Sequence, residues 1–209
     1  MYKKIDATCS LIGIQAHRLD PDNLNFHRRM MGKLIERELR HAICDGVSIF
    51  RVGMHMGADI WAAQRIILLR DAQFPHIRLH CYLPCETQAN NWPDIWREQY
   101  FDVLAQADWV FCPQSHYSRG CMQRQKQTML IGSDRLIAIH DNVAEGGISQ
   151  AVRYAEAREI ETVVIRPLEG PDAPFDLRAE QTRHQSRSQV SSTYSGRFST
   201  GKSAIKRAW

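Results

Sequence analysis

The feature that most constrains the fold is an alternation of short apolar runs with longer segments of helical periodicity, which continues to about residue 167. Apolar runs bounded by Pro, Gly or Asp predict buried strands, and the periodic segments predict helices. Strands that are apolar on both faces indicate a parallel sheet covered on each side. We therefore predict an α/β fold, a Rossmann-like three-layer sandwich with a mostly parallel sheet.

The order of these segments also predicts where a ligand would bind. In parallel sheets ligands bind beyond the carboxyl ends of the strands, and four connecting segments fall there: 16–18, 53–59, 114–122 and 141–147. The predicted strands are 8–15, 47–52, 77–83, 109–112, 135–140 and 162–165, and the predicted helices are 20–44, 58–71, 94–106, 121–130 and 147–158.

The C-terminal part of the chain has a different composition. Residues 169–174 predict a linker, and 181–200 are rich in Ser, Thr, Gln and Arg, with too few large apolar residues to fold alone. Beyond residue 177 the chain has seven basic residues and one acidic residue, a net charge of +6. Since the net charge of the whole chain is +4, the rest of the chain has a net charge of −2. We predict a ligand-binding domain over 1–168, and a linker with a basic, low-complexity tail over 169–209.

Composition excludes several classes of protein. No apolar run approaches the roughly 20 residues of a membrane helix or forms the core of a signal peptide, which predicts a cytoplasmic protein without membrane contact. The six cysteines lack the close spacing of zinc ligands, so we expect reduced, buried thiols, no metal and no resident cofactor. Four tryptophans, Trp61, Trp92, Trp96 and Trp109, are assigned to packing, although Trp92 could also cover a base.

Two glycine turns follow predicted strands at the ligand edge. Val52-Gly53-Met54-His55-Met56-Gly57-Ala58-Asp59 opens the second helix, and Glu145-Gly146-Gly147-Ile148-Ser149 opens the fifth. Glycines allow the backbone to approach a ligand, and the amides of a helix N-terminus attract phosphate. The alternative for the first is a tight turn without a ligand, and for the second a flexible helix cap.

Two further segments supply side chains at the same edge. Tyr117-Ser118-Arg119-Gly120-Cys121-Met122 offers a ring for stacking and an arginine for phosphate, and His17-Arg18 would add positive charge. Solvated loops and surface charge are the alternatives. The stretch 196–203 formally matches a phosphate loop, but no apolar strand precedes it, so we interpret the match as coincidence.

The segment Gly53-Met54-His55-Met56-Gly57-Ala58-Asp59-Ile60-Trp61-Ala62-Ala63 resembles the signature of the YpsA-like branch of the SLOG superfamily, which also contains DprA and the LOG phosphoribohydrolases. The resemblance extends over roughly residues 8–167, through Leu83-Pro84, Trp92-Pro93, 104–108, 117–122, 133–138 and Gly146-Gly147. It implies a Rossmann-like fold, a pocket for nucleotide derivatives and a homo-oligomer. The implied pocket residues are His17, Arg18, Gly53, Met54, Gly57, Asp59, Tyr117, Gly120, Cys121, Met122, Gly146 and Gly147, to which we add Arg119 and Asp141 from the same loops.

The chain departs from the family pattern at several positions. Gln15-Ala16 replaces Thr-Gly, Val52 replaces Ser, Lys126 replaces Asn, Ile131 replaces Asp and Ile148 replaces Thr. The loss of hydroxyls and of a glycine indicates a different ligand or a different way of holding it.

Three functions remain open from the sequence. The first is binding of a nucleotide-derived signal, such as an ADP-ribose-type molecule or a cyclic nucleotide. The second is hydrolysis of a nucleotide N-glycosidic bond, which requires a carboxylate such as Asp59 or Asp141; the LOG signature Pro-Gly-Gly-x-Gly-Thr-x-x-Glu is absent. The third is binding of single-stranded nucleic acid, through the basic tail.

Overall fold

The protein is described by a computed structural model that covers residues 6–140 and 142–167. The described residues form a six-stranded sheet in which every pairing is parallel. The predicted α/β class is confirmed, and the sheet is entirely rather than mostly parallel. The strands are β1 (Ala7–Gly13), β2 (Val47–Val52), β3 (Arg78–Tyr82), β4 (Trp109–Phe111), β5 (Arg135–Ile139) and β6 (Glu161–Ile165).

Five α-helices connect the strands: α1 (Leu24–Cys44), α2 (Ala58–Ala72), α3 (Asp94–Gln106), α4 (Cys121–Leu130) and α5 (Gly147–Glu156). The predicted bounds of β2, α3 and α4 agree with the structure, and most others differ by one or two residues. The first helix differs most, because Pro21–Asn23 form a 3₁₀ turn capped by the Asp20 carboxylate, and α1 begins only at Leu24.

The strand order is β4-β3-β2-β1-β5-β6. The chain moves outward from β1 to β4 and then crosses to the far side of β1 to form β5. Right-handed connections place α1, α2 and α3 on one face and α4 and α5 on the other, in agreement with the contacts α1–α2, α2–α3 and α4–α5. The chain therefore changes direction between β1 and β5, where open α/β sheets usually bind their ligands.

The central strands are the most buried part of the sheet. Every residue of β5 is buried, and so is every residue of β1 after Ala7. Helix α2 is apolar on most of its surface, and α1, α3 and the sheet bury that surface. No described helix is long and apolar enough to cross a bilayer.

Most cysteine thiols are buried, as the sequence predicts, but the thiol at the C-terminal end of α1 is not. All six cysteines are free, and four of them are buried, but Cys44 is exposed at the C-terminus of α1 and Cys112 is half-buried. Burial raises the pKa of Cys9 and of Cys81 to about 12, because a thiolate loses its hydration in an apolar core. The prediction of a buried thiol is therefore wrong for Cys44.

The four tryptophans assigned to packing differ in their burial. Trp61 and Trp96 are buried with ring centroids 5.8 Å apart, and Trp92 packs on Tyr100 at 5.2 Å. Packing is confirmed for these three. Trp109 is 43% exposed, so core packing does not account for it.

Candidate functional site

The loops after β1 and β2 are bound to each other by backbone hydrogen bonds. The Ala16 amide donates to the Met56 carbonyl at 2.8 Å, and the Ala58 amide donates to the Ile14 carbonyl at 3.0 Å. Gly57 lies at this junction with φ +116°, and a Cβ there would lie 2.6 Å from the Ile14 oxygen. Glycine is thus required at position 57 by the approach of two backbone segments of the protein itself.

Asp59 is buried beneath the same junction, with 1% of its surface exposed. Its Oδ1 accepts the Gly13 amide at 2.7 Å, and its Oδ2 accepts the His55 amide at 3.2 Å and His55 Nδ1 at 2.9 Å. A Cβ at Gly53 would lie 3.0 Å from Asp59 Oδ2. The first glycine turn is therefore filled by the protein's own carboxylate and imidazole, and Met54 is fully buried within it.

The loop before α4 is held by a residue that the sequence interpretation did not single out. Arg124 Nη2 donates to Ser118 Oγ at 2.8 Å, and Nη1 donates to the Arg119 carbonyl at 3.1 Å. Gly120 adopts φ +81° immediately before the helix, while Tyr117 is 66% exposed. Arg124 thus fixes a loop that presents Tyr117 to solvent.

The start of α4 also reaches the β2 loop. His55 Nε2 lies 3.3 Å from Met122 Sδ, and buried Gln125 donates through Nε2 to the Gly53 carbonyl at 2.6 Å and the Tyr82 carbonyl at 2.5 Å. Cys121 is buried at the first position of the helix. These contacts position the α4 N-terminus over the ends of β2 and β3.

The second glycine turn differs from the first because it is exposed and lies against a cation. Gly147 is exposed and Gly146 half-buried, and a Cβ at Gly147 would lie 2.5 Å from Lys126 Nζ. The ammonium of α4 therefore lies at the first turn of α5, where the backbone amides have no partner within the helix. Both groups are electropositive.

His140 shapes the connection between β5 and α5. Ser149 Oγ donates to the Val143 carbonyl at 2.6 Å and therefore accepts from His140 Nε2 at 2.8 Å. The other ring nitrogen, Nδ1, then accepts the Asn142 amide at 2.8 Å. The neighbouring Asp141 lies outside the described residues. Its role stays a prediction.

The remaining predicted residues lie on the β1 side of the crevice. His17 and Arg18 form a 3₁₀ turn directly after β1, and both are exposed. Neither side chain makes a hydrogen bond or ion pair with any residue in the described ranges. Because β1 and β5 are neighbours and the Ile14 amide donates to the Ile139 carbonyl at 2.9 Å, this turn and the α5 N-terminus follow adjacent strands at the same edge of the sheet.

Most of the predicted site residues thus fall into two groups that differ in burial. Gly53, Met54, Gly57 and Asp59 are buried and packed against other protein groups, whereas His17, Arg18, Tyr117, Arg119 and Gly147 are exposed. The sequence interpretation missed His55, Arg124, Lys126 and His140 as shaping residues. Only the four-residue spacing of His55, before the helix, and Asp59, in its first turn, could have indicated one of these contacts.

The sequence is similar to a known family and to several of its members. A family model described as the YspA SLOG family matches residues 23–168. The chain is 30% identical over 173 residues to a UPF0398 protein of Halalkalibacterium halodurans, covering 81% of this chain and 85% of the relative. It is 32% identical over 127 residues to a UPF0398 protein of Shouchella clausii, covering 60% and 68%, and 27% identical over 150 residues to one of Lysinibacillus sphaericus, covering 70% and 83%. The chain belongs to the YpsA-type SLOG family.

Proposed function

We propose that the protein binds a phosphate-bearing, nucleotide-derived small molecule between the carboxyl ends of β1 and β5. The observation that carries the proposal is the position of Lys126 Nζ against Gly147 at the first turn of α5. A phosphate that contacts both the Lys126 ammonium and the backbone amides at the first turn of α5 is stabilised by both.

Side chains around this position fit the rest of a nucleotide. His17 and Arg18 are exposed in the turn after β1, the strand next to β5, and can neutralise a second phosphate. Tyr117 offers an exposed ring on which a base can stack. Lys126 stands where the family pattern has Asn, and it supplies a phosphate contact that the missing hydroxyls do not.

A hydrolase is less well supported because of the environment of Asp59. Both carboxylate oxygens accept hydrogen bonds from Gly13 or His55, and the residue is 1% exposed. A nucleophile or a group that stabilises an oxocarbenium ion must reach the sugar. Asp59 is better explained as a structural residue that joins β1 to the β2 loop.

Calorimetry and thermal-shift measurements with AMP, ADP, ADP-ribose and cyclic nucleotides test the proposal. We expect at least one of these probes to bind, and Lys126→Gln to weaken that probe by about 10- to 100-fold, the equivalent of one lost charge-assisted hydrogen bond. Lys33→Gln is the matched control, since Lys33 is an exposed lysine of α1. Failure of the whole panel to bind, or equal effects of the two variants, would refute the proposal.

A further inference from the structure

One face of the sheet carries three helices and the other only two. A helix is about 10 Å wide and strands lie about 4.8 Å apart, so one helix covers roughly two strands. On the two-helix side, α4 and α5 contact β1, β5 and β6. Among the described residues, no helix lies above the side chains of β3 and β4 on this side. We call this surface the open face, formed by Arg51, Arg78, His80, Tyr82, Trp109 and Phe111.

The pairing of the strands aligns these side chains. Arg51, His80 and Trp109 are cross-strand neighbours in one row, and Tyr82 pairs with Phe111 in the next. The rings of Trp109 and Phe111 are stacked within 17° of parallel, 5.6 Å apart, and buried Tyr82 lies behind them at 5.4 and 5.5 Å. Two strands therefore present a continuous aromatic surface that ends at the exposed Trp109.

Positive charge borders this aromatic surface. Arg51 lies 5.7 Å from the Tyr82 ring centroid and donates to the carbonyls of Met129 and Ile131 at 2.9 and 2.7 Å. No carboxylate of the described ranges lies within ion-pair distance of it. Arg78 is half exposed and shares the Asp108 carboxylate with Arg70 at 3.4 and 3.0 Å.

His80 adds a ring rather than a charge. Burial and the neighbouring Arg51 lower its pKa, against the opposite effect of Asp108, so its imidazole is neutral at neutral pH. The charges that line the open face sum to about +1, from Arg51, Arg78 and Asp108, although the chain outside the basic tail is mildly acidic.

We propose that the open face binds single-stranded nucleic acid, with bases stacked on Trp109 and Phe111 and phosphates near Arg51 and Arg78. The exposed ring of Trp109, stacked on the half-buried Phe111 with arginines beside it, suits unpaired bases and a polyanionic backbone. The cleft has a volume of about 570 Å³ but is widely open to solvent, whereas small-molecule sites enclose most of their ligand.

Two other occupants fit the charges less well. A two-fold pairing of copies through this face would bring Arg51 and Arg78 toward the same residues of the second copy, and like charges oppose association. The basic tail of this chain carries +6 and is disfavoured for the same reason.

Fluorescence anisotropy with labelled (dT)20 and with a duplex of equal length tests the proposal on the full chain at about 0.1 M salt, where phosphate contacts remain measurable. Trp109→Ala should weaken single-strand binding by about 5- to 100-fold, the effect of one lost stacking ring, and should leave duplex binding unchanged. Arg78→Gln should weaken the single strand and reduce the salt dependence.

Matched controls separate this surface from the tail and from the crevice. Phe101→Ala removes an exposed ring of α3, and Arg29→Gln removes an exposed arginine of α1; neither should change (dT)20 affinity. Lys126→Gln should also leave it unchanged, so the two proposals fail separately. Equal (dT)20 affinity in the Trp109 and Phe101 variants would overturn the proposal, as would competition by dTMP alone, or a Trp109→Ala variant that changes only the oligomeric state measured by light scattering.

Discussion

Gly57→Ala provides a direct test of the junction between the β1 and β2 loops. Gly57 has φ +116° and ψ −131°, a region that residues with a side chain avoid. An added Cβ would also lie 2.6 Å from the Ile14 oxygen and 2.7 Å from the Ala16 nitrogen, both backbone atoms that cannot move aside. Backbone strain of about 1–3 kcal/mol and a steric cost of about 1–3 kcal/mol together predict a loss of about 2–6 kcal/mol.

Differential scanning calorimetry measures this loss. For a domain of this size about 2–4 °C of Tm corresponds to 1 kcal/mol, so we expect Tm to fall by roughly 4–24 °C. Gly132→Ala is the matched control, because Gly132 also has positive φ, +73°, but a Cβ there would meet nothing within 4 Å. It should lose only about 1–2 kcal/mol. Equal losses in the two variants would refute the argument that crowding by the β1 loop requires glycine at position 57.

Three further outcomes follow from the structure. Asp59→Asn replaces a carboxylate oxygen, which accepts hydrogen bonds from Gly13 or His55, with an amide NH2 group that can only donate. Chemical denaturation should therefore show a loss of about 1–3 kcal/mol in the free energy of unfolding; unchanged stability would contradict the structural role. Native alkylation at pH 8, followed by peptide mass spectrometry, should label exposed Cys44 and spare Cys9 and Cys81, whose pKa of about 12 leaves about one thiol in ten thousand ionised; labelling of Cys9 as fast as Cys44 would contradict it. Lys202→Ala, in the phosphate-loop look-alike outside the described residues, should leave nucleotide affinity unchanged in calorimetry.

Local sequence signals predicted the helices and strands well where a proline or a glycine marks the start of the element. The helix 94–106 begins directly after Pro93, whose fixed φ and missing amide suit the position before a first turn. Gly120 likewise precedes α4 with positive φ. By contrast, Asp20-Pro21 predicted the start of a continuous helix, but the cap closes only a 3₁₀ turn, because a local motif does not specify which helix type follows.

The candidate site was less predictable, because its important contacts join residues that are distant in sequence. Nothing near Lys126 indicates that its ammonium reaches Gly147, since this depends on the packing of α4 beside α5. As a sequence pattern, the glycines at 53 and 57 fit a phosphate-binding turn as well as a tight turn without a ligand. Only the structure shows that Asp59 and the β1 loop occupy the space beside these glycines. The sequence predicted a strand at Trp109 and assigned its ring to packing, but the number of helices on each face of the sheet decides its exposure.

The hydrogen bonds that join the β1 and β2 loops have a consequence for how this edge of the sheet responds to a guest. With Gly13, Ala16 and Ala58 each donating to the neighbouring loop or to Asp59, that half of the rim has little freedom left to lose on association. Any rearrangement on binding should be concentrated in the segments before α4 and α5. A comparison of bound and free protein by hydrogen exchange should therefore show slowed exchange around residues 115–120 and 142–147, while the amides of the joined loops exchange equally slowly in both.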